Sequence, residues 1–121
     1  MASKPADDLD PIQKSRPTRP VPDQEVIFDA LQMIKSAKSP IILSGNGVIR
    51  LGASAELRKF AETTGIGVIN TFMAKGVINQ DSVYSLFTIG LQAKDLVFSA
   101  IYEADLVITI GYDMAEYPPK I

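Results

Sequence analysis

One continuous stretch, residues 40–76, constrains the fold of this chain more than any other part of it. It reads PIILSGNGVIRLGASAELRKFAETTGIGVINTFMAKG: an apolar run, a glycine-rich turn, an amphipathic segment, a second apolar run and a polar loop. The run Ile41-Ile42-Leu43 is unbroken by polar residues, which is typical of a strand covered on both faces. It stops at Ser44-Gly45-Asn46-Gly47, where glycine permits a tight turn. The stretch therefore predicts a βαβ unit, in which ligands bind at the carboxyl ends of the strands.

Helices are predicted on both sides of this first strand. Asp23 can cap a helix that begins after Pro22 and ends near Ser39, because Pro40 restricts the residue before it. Its apolar residues recur at helical spacing on one face: Val26, Ile27, Ala30, Leu31 and Ile34. A second helix is predicted over Ser54–Thr64, with Gly65 as its C-terminal stop. Its core-facing residues are Leu57, Phe60 and Ala61.

The last third of the chain predicts one more helix and strand. Residues 79–90 show no clean period and are predicted to be irregular, apart from a short strand or turn. From Leu91 a third helix is predicted to bury Ala93, Val97, Ala100, Ile101 and Ala104. Leu106–Ile110 then follows as a strand that ends at Gly111. Three strands thus end in loops with glycine or small polar residues, Asn70-Thr71 among them, and such loops at one sheet edge form a crevice.

The residue inventory excludes several classes of chemistry. There is no His and no Cys in 121 residues, so nucleophilic triads, an imidazole base, thiolate zinc sites and disulfides are absent. The net charge is -2 and the basic residues are scattered, which disfavours a nucleic acid partner. No apolar run approaches the roughly 20 residues of a membrane helix, and no signal peptide is recognisable, so no membrane association is predicted.

The first 22 residues have the composition of an interdomain linker. Five of the eight prolines fall there, with almost no apolar side chains, so we expect extended or disordered chain over 1–22 and a folded domain over 23–121. Lys14-Ser15-Arg16 with Arg19 is compatible with a basic docking site, although a solvated connector is the commoner meaning of such stretches. A linker implies another domain before this one.

The glycine-rich turn matches neither of the common phosphate-binding patterns. The dinucleotide fingerprint requires glycine where this chain has Arg50. Gly47 and Gly52 have the spacing of a P-loop, but Ala53-Ser54 stands where Lys-Ser/Thr is required. Two interpretations stay open: a cradle made by the N–H groups of residues 45–47 with the following helix N-terminus, and a strand-to-helix turn without a ligand.

Two further polar groups lie near the same predicted edge. Lys75 could pair with a phosphate or carboxylate, or be an ordinary solvated lysine. Asp113, Glu116 and Tyr117 could form an acidic site or simply a polar surface. Between these groups, Phe72 and Met73 are predicted to be packing residues rather than a cofactor platform.

Three segments carry a resemblance to known proteins. They are SPIILSGNGVIR, ELRKFAETTGIGVINTFMAKG and EADLVITIGYDMAEYPPKI, and the resemblance covers about residues 20–121, most of the chain. In this order and at these spacings they resemble the central domain of thiamine-diphosphate-dependent enzymes of the acetolactate synthase and pyruvate oxidase group. The segment IGYDMAEY is most similar to acetolactate synthases of the catabolic, FAD-independent type.

The resemblance implies an α/β fold and a supporting role. The fold would be a three-layer, Rossmann-like domain of the DHS-like NAD/FAD-binding type, with a parallel sheet, helices on both faces and a C-terminal truncation. The parent enzyme would condense two pyruvates to 2-acetolactate with release of CO2, in cytoplasmic branched-chain amino acid biosynthesis. Its flanking catalytic domains would bind thiamine diphosphate and Mg2+, so no catalytic or metal-ligating residue is expected in this chain. The expected partners are those flanking domains and, in a homo-oligomer, further copies.

In some members of this group the central crevice holds FAD, and the resemblance implies where that site would lie. It maps to Gly45, Asn46, Gly47, Thr71, Lys75, Gly76, Gly90 and Gly111. FAD-binding relatives show Gly-Met-His-Gly where this chain has Gly90-Leu91-Gln92-Ala93, and an arginine where it has Tyr112-Asp113. Because Asp113 would repel a diphosphate, we expect a vestigial crevice without FAD.

Other parents stay open at this point. A pyruvate oxidase or another thiamine-diphosphate carboligase or decarboxylase would share this domain, and a stand-alone nucleotide-binding module would share its general fold.

Overall fold

A computed structural model of the chain describes residues 18–89 and 96–116. Among the described elements, each of the first three strands is followed by a helix. In chain order they are α1 (Gln24–Ser36), β1 (Pro40–Ser44), α2 (Asn46–Arg50), α3 (Ser54–Thr64), β2 (Gly67–Thr71), a 3-10 helix (Phe72–Ala74), β3 (Ser85–Ile89), α4 (Leu96–Glu103) and β4 (Leu106–Ile110).

The four strands form one parallel sheet in the order β3-β2-β1-β4. The chain steps outward from β1 to β2 and β3, then returns through α4 to place β4 on the other side of β1. Ser44 at the end of β1 lies opposite both Asn70 of β2 and Ile110 of β4. The carboxyl ends of these three strands therefore meet at one edge, at the point where the strand order reverses.

Helices cover both faces of the sheet, as the sequence predicts. Neighbouring residues of a strand point to opposite faces, so Ile42 joins one apolar cluster and Ile41 joins the other. The first cluster packs against α3 through Leu57 and Ala61, and the second packs against α4 through Val97. The fold is thus α/β with helix, sheet and helix layers.

Most predicted boundaries are confirmed. Ser54–Thr64 and Leu106–Ile110 have the predicted limits, and Gly65 ends α3 in the left-handed conformation with φ 72. Asp23 caps α1 by accepting a hydrogen bond from the Glu25 amide. The expected end of α1 near Ser39 is wrong, because Ala37 is already extended with ψ 140. Leu91 and Ala93 lie outside the described residues, and the described part of the third helix begins at Leu96.

Two short helices and one strand were not clearly predicted. The glycine-rich turn runs directly into α2, whose five residues are too few to show a helical period. The 3-10 helix after β2 is shorter still. β3 lies where only a short strand or turn was expected, and Phe87 within it has a positive φ of 71. These elements depend on contacts with the rest of the fold rather than on a local pattern.

The apolar face of α1 is mostly exposed. No residue of this helix is buried, and Val26 retains 64% of its accessible surface. Ile34 alone among the apolar residues predicted for this face packs against the core as a half-buried side chain. Helical spacing thus predicted the helix correctly but not its burial. No helix among the described residues is long and apolar enough to cross a membrane.

A carboxylate fastens the opposite end of the sheet. The amides of Lys38 and Ser39 donate to the two oxygens of Asp105 at 2.7 and 2.9 Å, just before β1 and β4 begin. The bond from Lys38, followed by that from Ser39, holds the pKa of the Asp105 carboxyl below its ordinary value. Asp105 therefore ties the segment that follows α1 to the segment that follows α4.

Candidate functional site

The loops after β1 and β4 are joined backbone to backbone at the carboxyl edge of the sheet. The Gly45 amide donates to the Ile110 carbonyl and the Gly47 amide donates to the Gly111 carbonyl, both at 2.9 Å. These bonds extend the β1 to β4 pairing past the ends of both strands. The two glycine-containing loops therefore form one continuous unit.

The glycines are required by this contact. A Cβ atom on Gly45 would lie 2.4 Å from the Gly111 carbonyl oxygen, and one on Gly47 would lie 2.8 Å from the Gly111 Cα. Gly111 itself has a φ of 61, and a Cβ there would lie 2.5 Å from the Val48 nitrogen. Real Cβ atoms do not approach other atoms this closely, so side chains here would push the loops apart.

Glu116 joins the same unit to the last residue of β2. Both of its carboxylate oxygens accept from the Asn46 amide at 3.0 Å, and Oε2 also accepts from the Thr71 hydroxyl at 2.5 Å. A single carboxylate thus links the loops after β1 and β4 to the end of β2. Beneath it, the buried Ser44 hydroxyl donates to Asn70 Oδ1 at 2.6 Å and holds the ends of β1 and β2 together.

These contacts account for the backbone amides of residues 45–47 in the glycine-rich turn. The amides of Gly45 and Gly47 donate to backbone carbonyls, and the amide of Asn46 donates to Glu116. A ligand anion seated on these three N–H groups would have to displace bonds that the chain already makes.

A shallow crevice of about 420 Å³ lies beside this junction. It is lined by Asn46, Arg50, Phe72, Met73, Asp113, Ala115 and Glu116. Phe72 and Met73 are 53% and 54% exposed, so they form the wall of the crevice rather than part of the core, and the packing role predicted for them is wrong. Among the described residues, no group of three or more acidic side chains is placed to hold a metal ion.

The structure brings together five of the eight predicted site residues. Gly45, Asn46, Gly47, Thr71 and Gly111 all take part in the junction. Lys75 and Gly76 instead line a separate depression of about 350 Å³ with Asn79 and Asp81. Gly90 and Tyr117 lie outside the described residues.

Two residues of the crevice have roles that the sequence did not reveal. Arg50, rather than Lys75, is the cation in the lining. In the sequence, Arg50 stands out only as the residue that breaks the dinucleotide fingerprint. For Glu116 the sequence leaves open an acidic site with Asp113 and a polar surface, because nothing local indicates that its partners lie 70 and 45 residues away.

Removing the Glu116 carboxylate should loosen this junction. We expect Glu116→Ala to lower the free energy of unfolding by about 1–3 kcal/mol, because the Asn46 amide and Thr71 hydroxyl lose their acceptor. Glu116→Gln keeps one acceptor oxygen and should lower the free energy of unfolding by less than Glu116→Ala does. Urea unfolding would measure both, with Glu62→Ala on the exposed face of α3 as the control. Equal midpoints for Glu116→Ala and Glu62→Ala would contradict the role assigned to Glu116.

Comparison with known proteins gives one consistent result. The family described as "Thiamine pyrophosphate enzyme, central domain" matches residues 27–120. The acetolactate synthase large subunit of Corynebacterium glutamicum is 38% identical over 95 residues, which cover 77% of this chain and 15% of that protein. The 3D-(3,5/4)-trihydroxycyclohexane-1,2-dione hydrolase of Bacillus thuringiensis is 35% identical over 99 residues, which cover 82% of this chain and 15% of that protein.

A solved structure agrees with these sequence matches. An X-ray structure described as a thiamin diphosphate-dependent enzyme from Mycobacterium smegmatis superposes with a TM-score of 0.71 at 27% identity. The match covers 89% of this chain and 21% of that chain. The chain spans about one seventh of the length of the curated relatives it matches, with 14% and 15% covered in two of them.

Proposed function

The chain belongs to the thiamine pyrophosphate enzyme central-domain family, and from that premise we propose that it is the non-catalytic scaffold domain of an acetolactate synthase-like enzyme. The parent would join two pyruvates into 2-acetolactate and release CO2, in cytoplasmic branched-chain amino acid synthesis. Identity of 38% to an acetolactate synthase large subunit supports this choice of parent.

One observation carries the scaffold role: the polar groups at the carboxyl edge are bonded to one another. In a ligand site, the glycine-turn amides and the Glu116 carboxylate would face a ligand. Here they join the loops after β1 and β4 to the end of β2 instead. The sequence has no His or Cys to act as a base or nucleophile at neutral pH. The decisive measurement is whether the isolated chain turns over pyruvate when the cofactors are supplied.

Thiamine diphosphate and Mg2+ do not fit the residues of this crevice. The cofactor would stabilise a carbanion in the parent enzyme, and Mg2+ would require oxygen ligands around its diphosphate. In the described part of the chain, no acidic cluster is placed to bind a metal, and the candidate diphosphate donors are engaged. We therefore assign both cofactors to the flanking catalytic domains of the parent.

We also propose that the crevice holds no FAD. Asp113 and Glu116 line it, and a diphosphate placed there would face two carboxylates with Arg50 as the cation in the lining. The purified protein should be colourless, and calorimetric titration with FAD should show no binding in the micromolar range, which corresponds to about 8 kcal/mol.

A matched variant tests whether negative charge or the lack of free N–H donors excludes FAD from the crevice. Asp113→Asn removes one carboxylate but keeps an oxygen that can accept from the Ala115 amide. FAD binding gained by this variant alone would assign the exclusion to the charge of Asp113, and binding by neither protein would assign it to the engaged amides together with the remaining Glu116 carboxylate. A flavin spectrum from the unmodified chain would contradict the proposal.

A second parent is favoured by a specific match. The trihydroxycyclohexane-dione hydrolase is 35% identical over a longer part of this chain than the acetolactate synthase covers. The same central domain thus occurs in enzymes named for different reactions. A hydrolase, a pyruvate oxidase or another carboligase parent would leave the scaffold role unchanged. A stand-alone nucleotide-binding module is less well supported, because the amides that would hold a phosphate are engaged.

A further inference from the structure

An asparagine that is followed by glycine lies inside the junction. Of the three asparagines in the chain, Asn46 alone precedes glycine. Asn70 precedes threonine and Asn79 precedes glutamine. Asparagine is among the thermolabile residues of proteins, because the next backbone nitrogen can attack its side-chain amide. A following glycine offers that nitrogen without a side chain in the way, so the sequence makes Asn46 the most reactive of the three.

The reaction is an internal ring closure that needs no enzyme, because both groups belong to one chain. The Gly47 nitrogen attacks Asn46 Cγ, a new C–N bond forms, and the bond from Cγ to Nδ2 breaks. The side-chain nitrogen leaves as ammonia, together with the proton that the Gly47 nitrogen gives up, and a five-membered imide remains. Water then opens the imide at one of its two C–N bonds. One opening leaves aspartate at position 46, and the other leaves isoaspartate, with the main chain running through Cβ and Cγ.

The folded chain supplies the reactants but not the geometry of attack. Asn46 is half-buried and lines the crevice, so water reaches its side chain. Gly47 is buried, and its amide donates to the Gly111 carbonyl at 2.9 Å, so the nitrogen is held in place with its proton. Asn46 is also the first residue of α2, and its helical backbone holds the Gly47 nitrogen out of the plane that a five-membered ring requires.

We propose that Asn46 is a latent deamidation site, and that the junction between the loops after β1 and β4 keeps it unreacted. The bond between Gly47 and Gly111 must open before the ring can close, so the reaction rate follows the population of chains in which these loops are apart. Glu116 keeps this population small, because its carboxylate accepts from the Asn46 amide at 3.0 Å. The junction therefore protects Asn46 chemically as well as joining the loops.

Either product opposes closure of the junction. Aspartate at position 46 adds a third carboxylate to a crevice that Asp113 and Glu116 already line. Isoaspartate adds one carbon to the main chain before Gly47, which moves the Gly47 amide out of register with the Gly111 carbonyl. The contact has no room for such a shift, since even a Cβ on Gly47 would lie 2.8 Å from the Gly111 Cα. Deamidation thus turns a transient opening into a permanent one.

Peptide mapping of the full chain after prolonged incubation in mildly alkaline buffer tests this proposal. Trypsin releases residues 39–50 as one peptide, and chromatography with mass spectrometry separates its asparagine, aspartate and isoaspartate forms. A sample digested at time zero corrects for reaction during digestion. The folded chain should react at least about tenfold more slowly than the same chain unfolded in guanidinium chloride. Glu116→Ala should raise the rate in the folded chain about tenfold, which corresponds to about 1.4 kcal/mol, and Glu116→Gln should give an intermediate rate.

Three variants make the result specific. Glu62→Ala on the exposed face of α3 should leave the rate unchanged. Val97→Ala removes buried methyl groups from the apolar cluster under α4, so it lowers global stability without touching the junction and should change the rate far less than Glu116→Ala does. Asn46→Gln keeps an amide but requires a slower six-membered closure. After incubation this variant should keep its unfolding midpoint, whereas the reacted unmodified chain should unfold at less denaturant.

Four results would overturn the proposal. The first is an equal rate in the folded and the unfolded chain, and the second is a rate for Glu116→Ala no higher than that of the unmodified chain. The third is an acceleration by Val97→Ala as large as that by Glu116→Ala, which would mean that the reaction proceeds through global unfolding. The fourth is an unchanged unfolding midpoint in the reacted chain, which would mean that the junction closes over the modified residue.

Discussion

Incubation of this chain with pyruvate, thiamine diphosphate and Mg2+ is expected to yield no acetolactate above the protein-free rate. Compared with an intact enzyme, the chain is expected to lose all catalytic activity. It has no His or Cys, and its crevice carboxylate Glu116 is engaged by Asn46 and Thr71. Enzymes of ordinary efficiency exceed uncatalysed rates by at least about a millionfold, so a colorimetric acetolactate assay separates the two outcomes clearly.

The positive control places the same residues in a complete enzyme. Residues 27–120 would replace the matching segment of the Corynebacterium glutamicum acetolactate synthase large subunit, and a folded chimera should form acetolactate. Turnover by the isolated chain that is abolished by a change at Lys75 or Asp113 would overturn the scaffold assignment.

Gly111→Ala is expected to destabilise the domain more than most single substitutions. The left-handed φ of 61 costs an alanine about 1–2 kcal/mol, and its Cβ would collide with the Val48 nitrogen, which adds about 1–3 kcal/mol. The sum is a large part of the roughly 5–15 kcal/mol that stabilises a typical domain. Urea unfolding should show a strongly lowered midpoint or no folded baseline.

Gly52→Ala is the matched control for this change. Gly52 has a similar φ of 69, but a Cβ built there meets nothing within 4 Å. Gly52→Ala should lower the free energy of unfolding only by the conformational cost of about 1–2 kcal/mol. The difference between the two variants measures the contact between the loops after β1 and β4, and equal losses would mean that these loops separate without cost.

The sequence predicted elements well where a local signal marks them. Asp23 and Gly65 identify helix ends because capping and the left-handed conformation depend on single residues. β3 was harder, since Phe87 and the irregular register interrupt any alternation. The exposure of α1 could not be predicted, because spacing shows which residues share a face and not whether another layer covers it.

The candidate site was predictable as a place but not as a set of contacts. Three strands that end in small or polar residues indicated where the loops meet, and Gly45, Gly47 and Gly111 do meet there. The resemblance to thiamine-diphosphate enzymes is confirmed by the family match. What the residues could not indicate was that Glu116 takes the Asn46 amide, since this depends on the path of a loop 70 residues away.

Asp105 has a mechanical consequence for the domain. Its carboxylate holds the amides of Lys38 and Ser39, immediately between α1 and the central strand β1. Tension applied through the chain before α1 would reach these two bonds before it reached the β1 ladder. Asp105 therefore holds the start of β1 in place when the chain before it is pulled. In the proposed parent enzyme, movement of α1 would therefore leave β1 in the sheet.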